Sequence, residues 1–515
     1  MPARVVEVVS RCTLCAALAF ALACDLNNPG DAPPEGTLYF PTALALSGDG
    51  DGAPDHLYVA NSNFDLRFNA GSVQAFDLDA IGEVITTCEA CIGRAEQAQT
   101  ECRDACASGD CVQVPDAGLD LERTCDACLE LCDDARAADD EACGYDDGKC
   151  FVDPVDETIR VGEERVESFA TAIVPSRDGA LLFVVGREDD GLTFVPADGS
   201  APDVLDCGAG AAPCAKRSTR ADADLPDWPG DPVDLLTGPL SDWGDTTLTG
   251  DYVLVAHRGG AVSLFVERSE AGERGFVWTD TLTLFSAQSG VQLTGIARDP
   301  QSGLAHLTLL RSARGVVATG KLLARVGVVL DDDPERASLY DAGALALEGV
   351  DVSTDTRAIA FVDPIAQSSA ALAGVRALVV ARLPTSLLLV AVDPSHNEVG
   401  RARVQRITEV GSGATRLVTG TLGGTPVAIV SCFDSREVFV IDLESGFARS
   451  IVRNLSGPFE IVLDEARQRL YAADFRSSVI RVLDLAPVLA PDASGETSAR
   501  LVATLGAPRV IQELR

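Results

Sequence analysis

The chain has 515 residues, of which 46% are hydrophobic, enough to build a large core. It carries 78 acidic against 41 basic residues, a net charge of −37. That charge argues against nucleic acid as a general partner, because phosphate binding needs clustered Lys and Arg, and it also disfavours adsorption to anionic lipid. Only three of the basic residues are lysines and the rest are Arg, which, together with many Ala and Gly, indicates a GC-rich bacterial genome; a salt-adapted surface is the alternative.

The N-terminus is predicted to be a signal peptide, residues 1–23. Arg4 and Arg11 flank a weakly charged start, and an apolar run, Cys12–Ala23, follows. Twelve helical residues rise only about 18 Å, which is too short for a bilayer core of about 30 Å but typical of a signal peptide. We therefore expect export from the cytoplasm.

The motif "ALAC" at Ala21–Cys24 resembles the lipobox of bacterial lipoproteins, although Ala21 stands where Leu is usual. It predicts a lipid on Cys24, and the alternative is ordinary signal cleavage that leaves Cys24 free. Residues 24–37 are then the anchor cysteine and a polar Pro/Gly tether. We expect a lipoprotein of the bacterial cell envelope, in the periplasm or at the surface, that contacts the membrane only through its lipid.

Short apolar strands separated by Gly, Asp and Asn turns recur along the rest of the chain. The last such unit contains Arg469–Leu485, "RLYAADFRSSVIRVLDL". Seven units are predicted, the first over residues 38–85 and the others within 154–515, and aligned strand ends at Arg382, Cys432 and Asp474 are 50 and 42 residues apart. Such a period predicts an all-β, seven-bladed β-propeller, with six or eight blades as alternatives.

The motifs "LYVAN" (Leu57–Asn61), "GSVQAFDL" (Gly71–Leu78) and Arg469–Leu485 resemble the YVTN-type β-propeller repeat family, a WD40-like repeat. The resemblance implies a propeller fold and agrees with an envelope lipoprotein. The family does not have a single activity, so the resemblance implies no substrate.

A cysteine-rich segment, residues 86–153, interrupts the repeats with ten of the 16 cysteines, and its composition favours helix. At about 100° per residue, two sets of four cysteines each share a helical face. An antiparallel helix pair would then oppose Cys88 with Cys143, Cys102 with Cys128, and Cys106 with Cys125. Cys91, Cys111, Cys132 and Cys150 would form two further bridges.

The alternative for this segment is a zinc site formed by the Cys-x2-Cys pairs Cys88–Cys91 and Cys125–Cys128. An oxidising compartment favours disulfides instead. Outside the segment, Cys207 and Cys214 are expected to bridge a loop, and Cys432 is left as the odd cysteine.

The loop after each second strand of a propeller opens at one end of the central channel. Aligned strand ends predict a polar ligand site at this channel mouth, formed by Asn61, His257, Arg382, Cys432 and Asp474. The alternative is that Asn61 and Asp474 bond turn backbone, Cys432 is buried as a small apolar residue, and Arg382 is solvated.

No catalytic motif stands out, and an enzyme is the less favoured hypothesis. A lactonase-like hydrolase would use the channel mouth, with Asp474 and Asn61 as metal ligands. Asp49, Asp51 and Asp55 form an oxygen-rich loop suited to calcium, but the Glu of an EF-hand is missing and a Gly/Asp turn explains it as well. We expect no cofactor, and a binding or scaffold role with a protein, peptide or glycan of the envelope.

Overall fold

The fold consists mainly of short antiparallel strands. The computed structural model describes residues 31–48, 53–66, 68–107, 132–140, 142–146, 149–187, 191–199, 203–208, 214, 218–221, 225–244, 248–270, 273–286, 290–311, 322–350, 355–362, 372, 377–392, 401–489 and 498–508. Within them, the strands group into six sheets, and dividing the eight-stranded sheet at its single parallel strand pair gives seven blades, which we number I to VII. The inner strand of each blade is the one that contacts the inner strands of the two neighbouring blades.

The first three blades precede residue 284. Blade I contains β1 Pro41–Leu46, β2 His56–Asn61, β3 Gly71–Asp77 and β6 Arg160–Val166; β4 Tyr145–Asp146 and β5 Lys149–Val152 lie elsewhere. Blade II contains β7 Ala170–Pro175, β8 Leu181–Gly186 and β9 Thr193–Pro196. Blade III contains β11 Pro232–Pro239, β12 Asp251–His257, β13 Ala261–Glu270 and β14 Glu273–Thr283, extended by β10 Thr219–Arg220.

The remaining four blades are more regular. Blade IV contains β15 Val291–Arg298, β16 Ala305–Arg311, β17 Leu322–Val329 and β18 Ser338–Glu348. Blade V contains β19 Asp355–Phe361, β20 Ala377–Leu383, β21 Thr385–Val392 and β22 Arg401–Glu409. Blade VI contains β23 Ala414–Leu422, β24 Thr425–Cys432, β25 Glu437–Asp442 and β26 Ala448–Val452. Blade VII contains β27 Pro458–Asp464, β28 Arg469–Asp474, β29 Val479–Asp484 and β30 Arg500–Leu505.

The blades close into a ring. The inner strands contact one another in chain order, from β1 and β7 through β23 and β27, and β27 returns to contact β1. Among the described residues the apolar core divides into seven clusters, and each cluster lies between two neighbouring blades. The protein is therefore an all-β propeller, and its described part has seven blades around one channel.

The second strand of each blade explains why the sequence signal is strong there. β8 and β12 are buried along their whole length, on both faces. Because each blade is packed between two others, these strands are almost uninterrupted apolar runs rather than alternating ones. The inner strands β11 and β27 are only partly buried, since one edge lines the channel.

The cysteine-rich segment joins the first blade to the last. Helix α1, Leu78–Ala107, leaves the end of β3, and β5 then pairs in parallel with β30 of blade VII before β6 completes blade I. The predicted boundaries of 38–85 and 86–153 are therefore wrong: the helix begins at residue 78, and the segment lies inside blade I rather than after it. A second helical stretch spans residues 132–140, and α2 is the short helix Ala486–Leu489.

The helix pair is antiparallel, as predicted, but its disulfides differ from the predicted rungs. The bonded pairs are Cys88–Cys150, Cys91–Cys143 and Cys102–Cys132. The predicted pairs Cys88–Cys143 and Cys102–Cys128 are wrong by about one helical turn, because cysteines three or four residues apart share a face. Cys106 is also disulfide-bonded, and Cys111, Cys125 and Cys128 lie outside the described residues.

Two further cysteine predictions are confirmed. Cys207 and Cys214 are bonded to each other, and Cys432 is a free cysteine in the described part of the chain. Cys88 and Cys91 each belong to a disulfide, so the predicted zinc pair is not available in this state. In the described ranges, no helix is both long and apolar enough to cross a membrane.

Candidate functional site

A cavity of about 400 Å³ lies where the inner strands begin and the second strands end, which we call the mouth end of the ring. Its described lining comes from all seven blades, and we call it the mouth cavity. A cavity of this size falls within the range that holds one small ligand. The lining residues are Thr42, Ser62, Phe64, Phe169, Ala170, Thr171, Arg187, Pro232, Val233, Arg258, Gln292, Leu293, Thr294, Leu310, Arg357, Arg382, Thr415, Arg416, Phe459 and Phe475.

A β-bulge near the start of every inner strand supplies one lining residue from each blade. The register of each inner strand shifts there against its neighbour. A bulge adds one unpaired residue and redirects its side chain. The residues at the seven bulges are Thr42, Thr171, Val233, Thr294, Arg357, Thr415 and Phe459.

Threonines at three of these bulges also connect neighbouring blades. The hydroxyl of Thr42 donates to the carbonyl of Ala170 over 2.7 Å. That of Thr294 donates to the carbonyl of Thr356 over 3.0 Å, and that of Thr415 to the carbonyl of Phe459 over 3.4 Å. These hydrogen bonds fix the spacing of the inner strands, and so the wall of the mouth cavity is rigidly held.

Four arginines at the blade II, III and V side of the cavity form its basic half. Arg187 and Arg258 share a single carboxylate, that of Asp231, at N–O distances of 3.0 and 3.3 Å. Arg382 pairs with Asp434 at 3.4 Å, and both side chains remain over 40% exposed. Ion pairs this exposed hold their partners weakly, so the arginines remain available to another anion. Arg357 is the fourth.

Arg357 differs from the other three because its Nε is buried and has no hydrogen-bond partner among the described residues. Burial lowers the pKa of Arg357 to about 10, and the nearby charge of Arg382 adds to the effect. Asp355 opposes the shift, whereas Arg258 and Arg416 strengthen it. A buried, unpaired donor surrounded by like charges is costly in the absence of a counter-ion.

A fifth arginine, Arg416, lies one position deeper on β23. Its Nε donates to Glu460 over 2.7 Å, and both side chains are only 16% exposed. Asp234 approaches from the opposite wall and accepts the backbone N–H of Ile296 over 3.0 Å. Burial raises the pKa of Asp234 and of Glu460, while the charge of Arg416 opposes both shifts. Arg416, Glu460 and Asp234 therefore form one buried charged group beside the cavity.

The blade I and VII side of the cavity is aromatic. Phe64 and Phe475 lie 5.5 Å apart between ring centroids, and Phe459 lies 5.8 Å from Phe475. Phe64 also contacts Phe169, at 6.3 Å. Phe40 and Phe433 also contact Phe475, at centroid distances of 5.2 and 6.2 Å. We call these six residues the phenylalanine cluster.

Three of the predicted mouth residues are enclosed in their own blades. Asn61 is fully buried, accepts the N–H of Tyr39 over 3.1 Å, and donates to Ser72 and Gln74. Asp474 is fully buried, accepts the N–H of Ser456, and pairs with Arg481 at 3.0 Å. These side chains organise the strand ends and do not line the mouth cavity.

His257 is the third of these enclosed residues. Its Nδ1 lies 2.9 Å from the carbonyl of Gly230, and its Nε2 lies 3.0 Å from the hydroxyl of Ser263. Burial lowers its pKa to about 4, so the imidazole is neutral, donating to the carbonyl and accepting from the hydroxyl. The histidine therefore fixes blade III internally.

Cys432 and Arg382 complete the predicted set. Cys432 is fully buried, and burial raises the pKa of its thiol to about 12, as the apolar alternative expected. Arg382 alone lines the mouth cavity. Arg382 has no pairing partner on β19, because Leu383 pairs with Asp355 and Ala381 pairs with Thr356. This irregularity distinguishes it from the other four predicted residues.

Aligning the strand ends of the repeats therefore identified the correct loops, but in most loops a neighbouring residue lines the cavity. Ser62, Arg187, Arg258 and Phe475 each directly follow an aligned strand end and line the cavity instead. A shift of one residue along a strand exchanges the two faces. Clustering of Arg and Phe immediately after the strand ends was the signal that could have identified the site.

Most of the predicted calcium loop lies outside the described residues. Asp49 and Asp51 lie outside the described residues, and Asp55 is exposed, with its N–H bonded to the Ser47 hydroxyl over 2.8 Å. The predicted metal ligands of the lactonase-like alternative, Asn61 and Asp474, are both saturated by protein contacts, as described above.

No protein-family model matches the chain, and no curated protein matches it. Among solved structures, it is similar to the β-propeller domain of Cps50 (Swd1) from Myceliophteria thermophila, at 10% identity and a TM-score of 0.43, over 86% of this chain and 96% of that one.

Two further similarities are to bacterial proteins. One is a protein of Bacteroides fragilis provisionally described as a 6-phosphogluconolactonase, at 12% identity and a TM-score of 0.44, covering 68% and 88% of the two chains. The other is the periplasmic gluconolactonase PpgL of Pseudomonas aeruginosa, at 14% and 0.40, covering 67% and 87%. These similarities are too low to transfer an activity to this chain.

Proposed function

We propose that the protein is a ligand-binding β-propeller whose mouth cavity takes a small anionic molecule carrying a carboxylate or phosphate group. The observation that supports this most is Arg357. Its guanidinium has a buried Nε without a protein partner and lies near three other arginines. An anion would supply the missing acceptor and charge, and charge-assisted hydrogen bonds to Arg are among the strongest in proteins.

The electrostatics of the whole chain support the same role. The protein carries a net charge of −37, so its general surface repels anions. Five arginines line the mouth cavity, whereas its described lining contains no Asp, Glu, His or Cys. A concentrated basic site on an acidic protein favours selective capture of an anion at one place.

The described lining supports binding better than the lactonase-like alternative. A hydrolase that relies on a metal or on a general base needs carboxylates or histidines in contact with the substrate. The residues assigned to that role, Asn61 and Asp474, are enclosed within blades I and VII. The arginines and phenylalanines of the cavity provide charge and apolar contact instead.

We also propose that the protein works in the cell envelope, anchored by a lipid on Cys24. The lipobox-like motif at Ala21–Cys24 and the resemblance to YVTN-type repeats support this, and the disulfides of the insertion are compatible with an oxidising compartment. A Cys24→Ala variant should lose incorporation of labelled palmitate and move from the membrane to the soluble envelope fraction. Unchanged labelling would refute the anchor.

Anion binding is tested by isothermal titration of the purified, oxidised protein with inorganic phosphate and with acetate, at ionic strength held constant with chloride. We expect saturable binding of at least one of them at one site. Arg357→Gln should weaken it about tenfold or more, as expected for the loss of a charge-assisted hydrogen bond.

The matched control is Arg401→Gln. Arg401 lies on an outer strand, is 71% exposed and pairs with Glu348, so its loss removes the same net charge away from the cavity. Equal weakening by both variants would show a general charge effect and refute the site. Failure of both anions to bind the wild-type protein would refute the proposed function.

A further inference from the structure

The mouth cavity has two chemically different halves, and together they indicate a ligand class. The arginine half comes mainly from blades II, III and V, and the phenylalanine cluster from blades I, II, VI and VII. Arg416 lies over the ring of Phe459, 5.7 Å from its centroid, so the two halves meet directly. A ligand in contact with both must have an acidic and an apolar group close together.

The phenylalanine cluster is not part of the inter-blade core. The rings that stabilise the blades, such as Phe76, Phe183 and Phe265, are fully buried. None of the six rings at the mouth belongs to the buried core, and Phe64 is 54% exposed. A contiguous aromatic surface inside a cavity is typical of a ligand site rather than of a folding core.

Backbone conformation singles out two of these rings. The described residues that directly precede inner strands have positive φ values, and in blades IV, VI and VII this residue is a glycine: Gly290, Gly413 and Gly457. In blade III it is Asp231, with φ 44°, a residue type that tolerates this region better than most. In blades I and II, the same position is Phe40, with φ 46°, and Phe169, with φ 59°.

A phenylalanine in the left-handed region is strained, and glycine adopts the same conformation without strain. Strain that the fold could avoid with the residue used in other blades tends to mark a functional position. The backbone at these two positions would favour glycine, so the aromatic side chains at the mouth are the reason that phenylalanine is present.

We propose that the ligand is an aromatic carboxylic acid, whose carboxylate contacts Arg357 while its ring packs edge-to-face in the phenylalanine cluster. This inference rests on the proposed function and specifies its ligand. A volume of about 400 Å³ suits one ring on a short acid chain. Offset and edge-to-face packing is the arrangement that aromatic groups prefer, and the tilted rings at the mouth can accept another ring in this way.

The test compares three probes on the oxidised full-length mature protein by isothermal titration: acetate, 3-phenylpropionate and 3-cyclohexylpropionate. We expect 3-phenylpropionate to bind at least tenfold more tightly than acetate and more tightly than the cyclohexyl analogue. Equal affinities for acetate and 3-phenylpropionate would overturn the ligand class while leaving the anion site intact. Equal affinities for the two ring compounds would overturn the aromatic preference.

Phe169→Gly is the informative variant, because it removes the ring and relieves the backbone. Its melting temperature should not fall, its affinity for 3-phenylpropionate should fall at least fivefold, and its affinity for acetate should not change. Arg357→Gln should weaken the binding of both acetate and 3-phenylpropionate. If Phe169→Gly folds normally and retains the wild-type preference for 3-phenylpropionate, the proposal is wrong.

Gln468→Gly is the matched control for backbone relief. Gln468 also has a positive φ, 52°, but lies in the turn between β27 and β28 at the opposite end of the ring. It should leave both affinities unchanged. A loss of 3-phenylpropionate affinity equal to that of Phe169→Gly would attribute the effect to stability and overturn the proposal. If none of the three carboxylates shows saturable binding to the wild-type protein while inorganic phosphate does, the aromatic-acid proposal is refuted and the anion site stands. If phosphate fails to bind as well, the proposed function itself is refuted.

Discussion

Cys88 on α1 and Cys150 on β5 are joined by a disulfide that links the helix leaving blade I to the strand that extends blade VII. Around it, Ile81 and Ile85 of the helix and Val502 of β30 share one apolar cluster. The first and last blades of a propeller have no covalent continuity of their own, so this disulfide and the β5–β30 pairing act as a clasp across the closure of the ring.

Removing the clasp should loosen the closure of the ring. We expect the double variant Cys88→Ala, Cys150→Ala to lose about 4 kcal/mol of unfolding free energy, because the bond closes a loop with a sequence separation of 62. Hydrogen exchange should accelerate in β30 and β5. The control is Cys207→Ala, Cys214→Ala, whose separation of 7 predicts a loss of about 2 kcal/mol confined to blade II. Unchanged exchange in β30 would contradict the clasp.

Arg357 should show opposite effects on stability and binding. Replacing it with Met removes a half-buried charge whose Nε has no hydrogen-bond partner among the described residues and which lies near three other arginines. We therefore expect the unfolding free energy of the ligand-free protein to remain the same or rise by about 1 kcal/mol. Anion binding should be lost in the same variant. Urea unfolding and titration with phosphate or acetate measure the two effects. Strong destabilisation would show that Arg357 is structural.

His257 should make the protein less stable as the pH falls from 6.5 to 4. Its pKa is lowered by burial to about 4, so below pH 6.5 the unfolded chain binds a proton that the folded protein does not. The expected loss reaches about 3 kcal/mol near pH 4. Urea unfolding of His257→Gln should show a shallower pH dependence than wild type across this range, and an unchanged pH dependence would contradict the prediction.

The Asp474–Arg481 pair tests whether a buried ion pair stabilises blade VII or forms a ligand site. Asp474→Ala leaves Arg481, with an 11% exposed side chain, without its 3.0 Å partner. We expect a loss of about 3–5 kcal/mol in urea unfolding and no change in anion affinity for the folded fraction. Loss of a bound ion without loss of stability would instead support the metal hypothesis.

Cys432 should be inert in the folded protein. Its thiol is buried and its pKa is raised to about 12, so almost no thiolate is present at pH 8. Iodoacetamide should not label it in the native state and should label it in guanidinium chloride, as measured by peptide mass spectrometry. Rapid native labelling would show that the interface between blades V and VI opens.

The propeller architecture could be predicted from the sequence because the second strand of each blade produces a recognisable apolar repeat. Stretches such as Leu57–Asn61 and Arg469–Asp474 are nearly continuous apolar runs that end at a polar residue, as the packing of each blade between two others requires. Inner strands such as β11, "PVDLLTGP", are half exposed to the channel and carry a weaker pattern.

The loops that form the site could be predicted from the sequence, but the individual side chains that line the cavity could not. Which side chain enters the channel depends on the bulges, and an extra residue such as Thr171 or Thr415 leaves no mark in the local composition. The disulfide register failed for a related reason: Cys88 and Cys91 lie on one helical face, and either could oppose Cys143 until the packing of α1 against β5 selected one.

The path of the chain into blade I has a consequence for orientation. The carbonyl of Asp31 accepts the N–H of Asn69, which lies in the loop between β2 and β3, and the N–H of Phe40 is bonded to Ser478. The chain therefore reaches the first inner strand across the mouth end. Six residues lie between Cys24 and Asp31, and the seven Cα–Cα steps of an extended chain span at most about 25 Å. With the lipid that we propose on Cys24, the mouth end would be held within about 25 Å of the membrane surface.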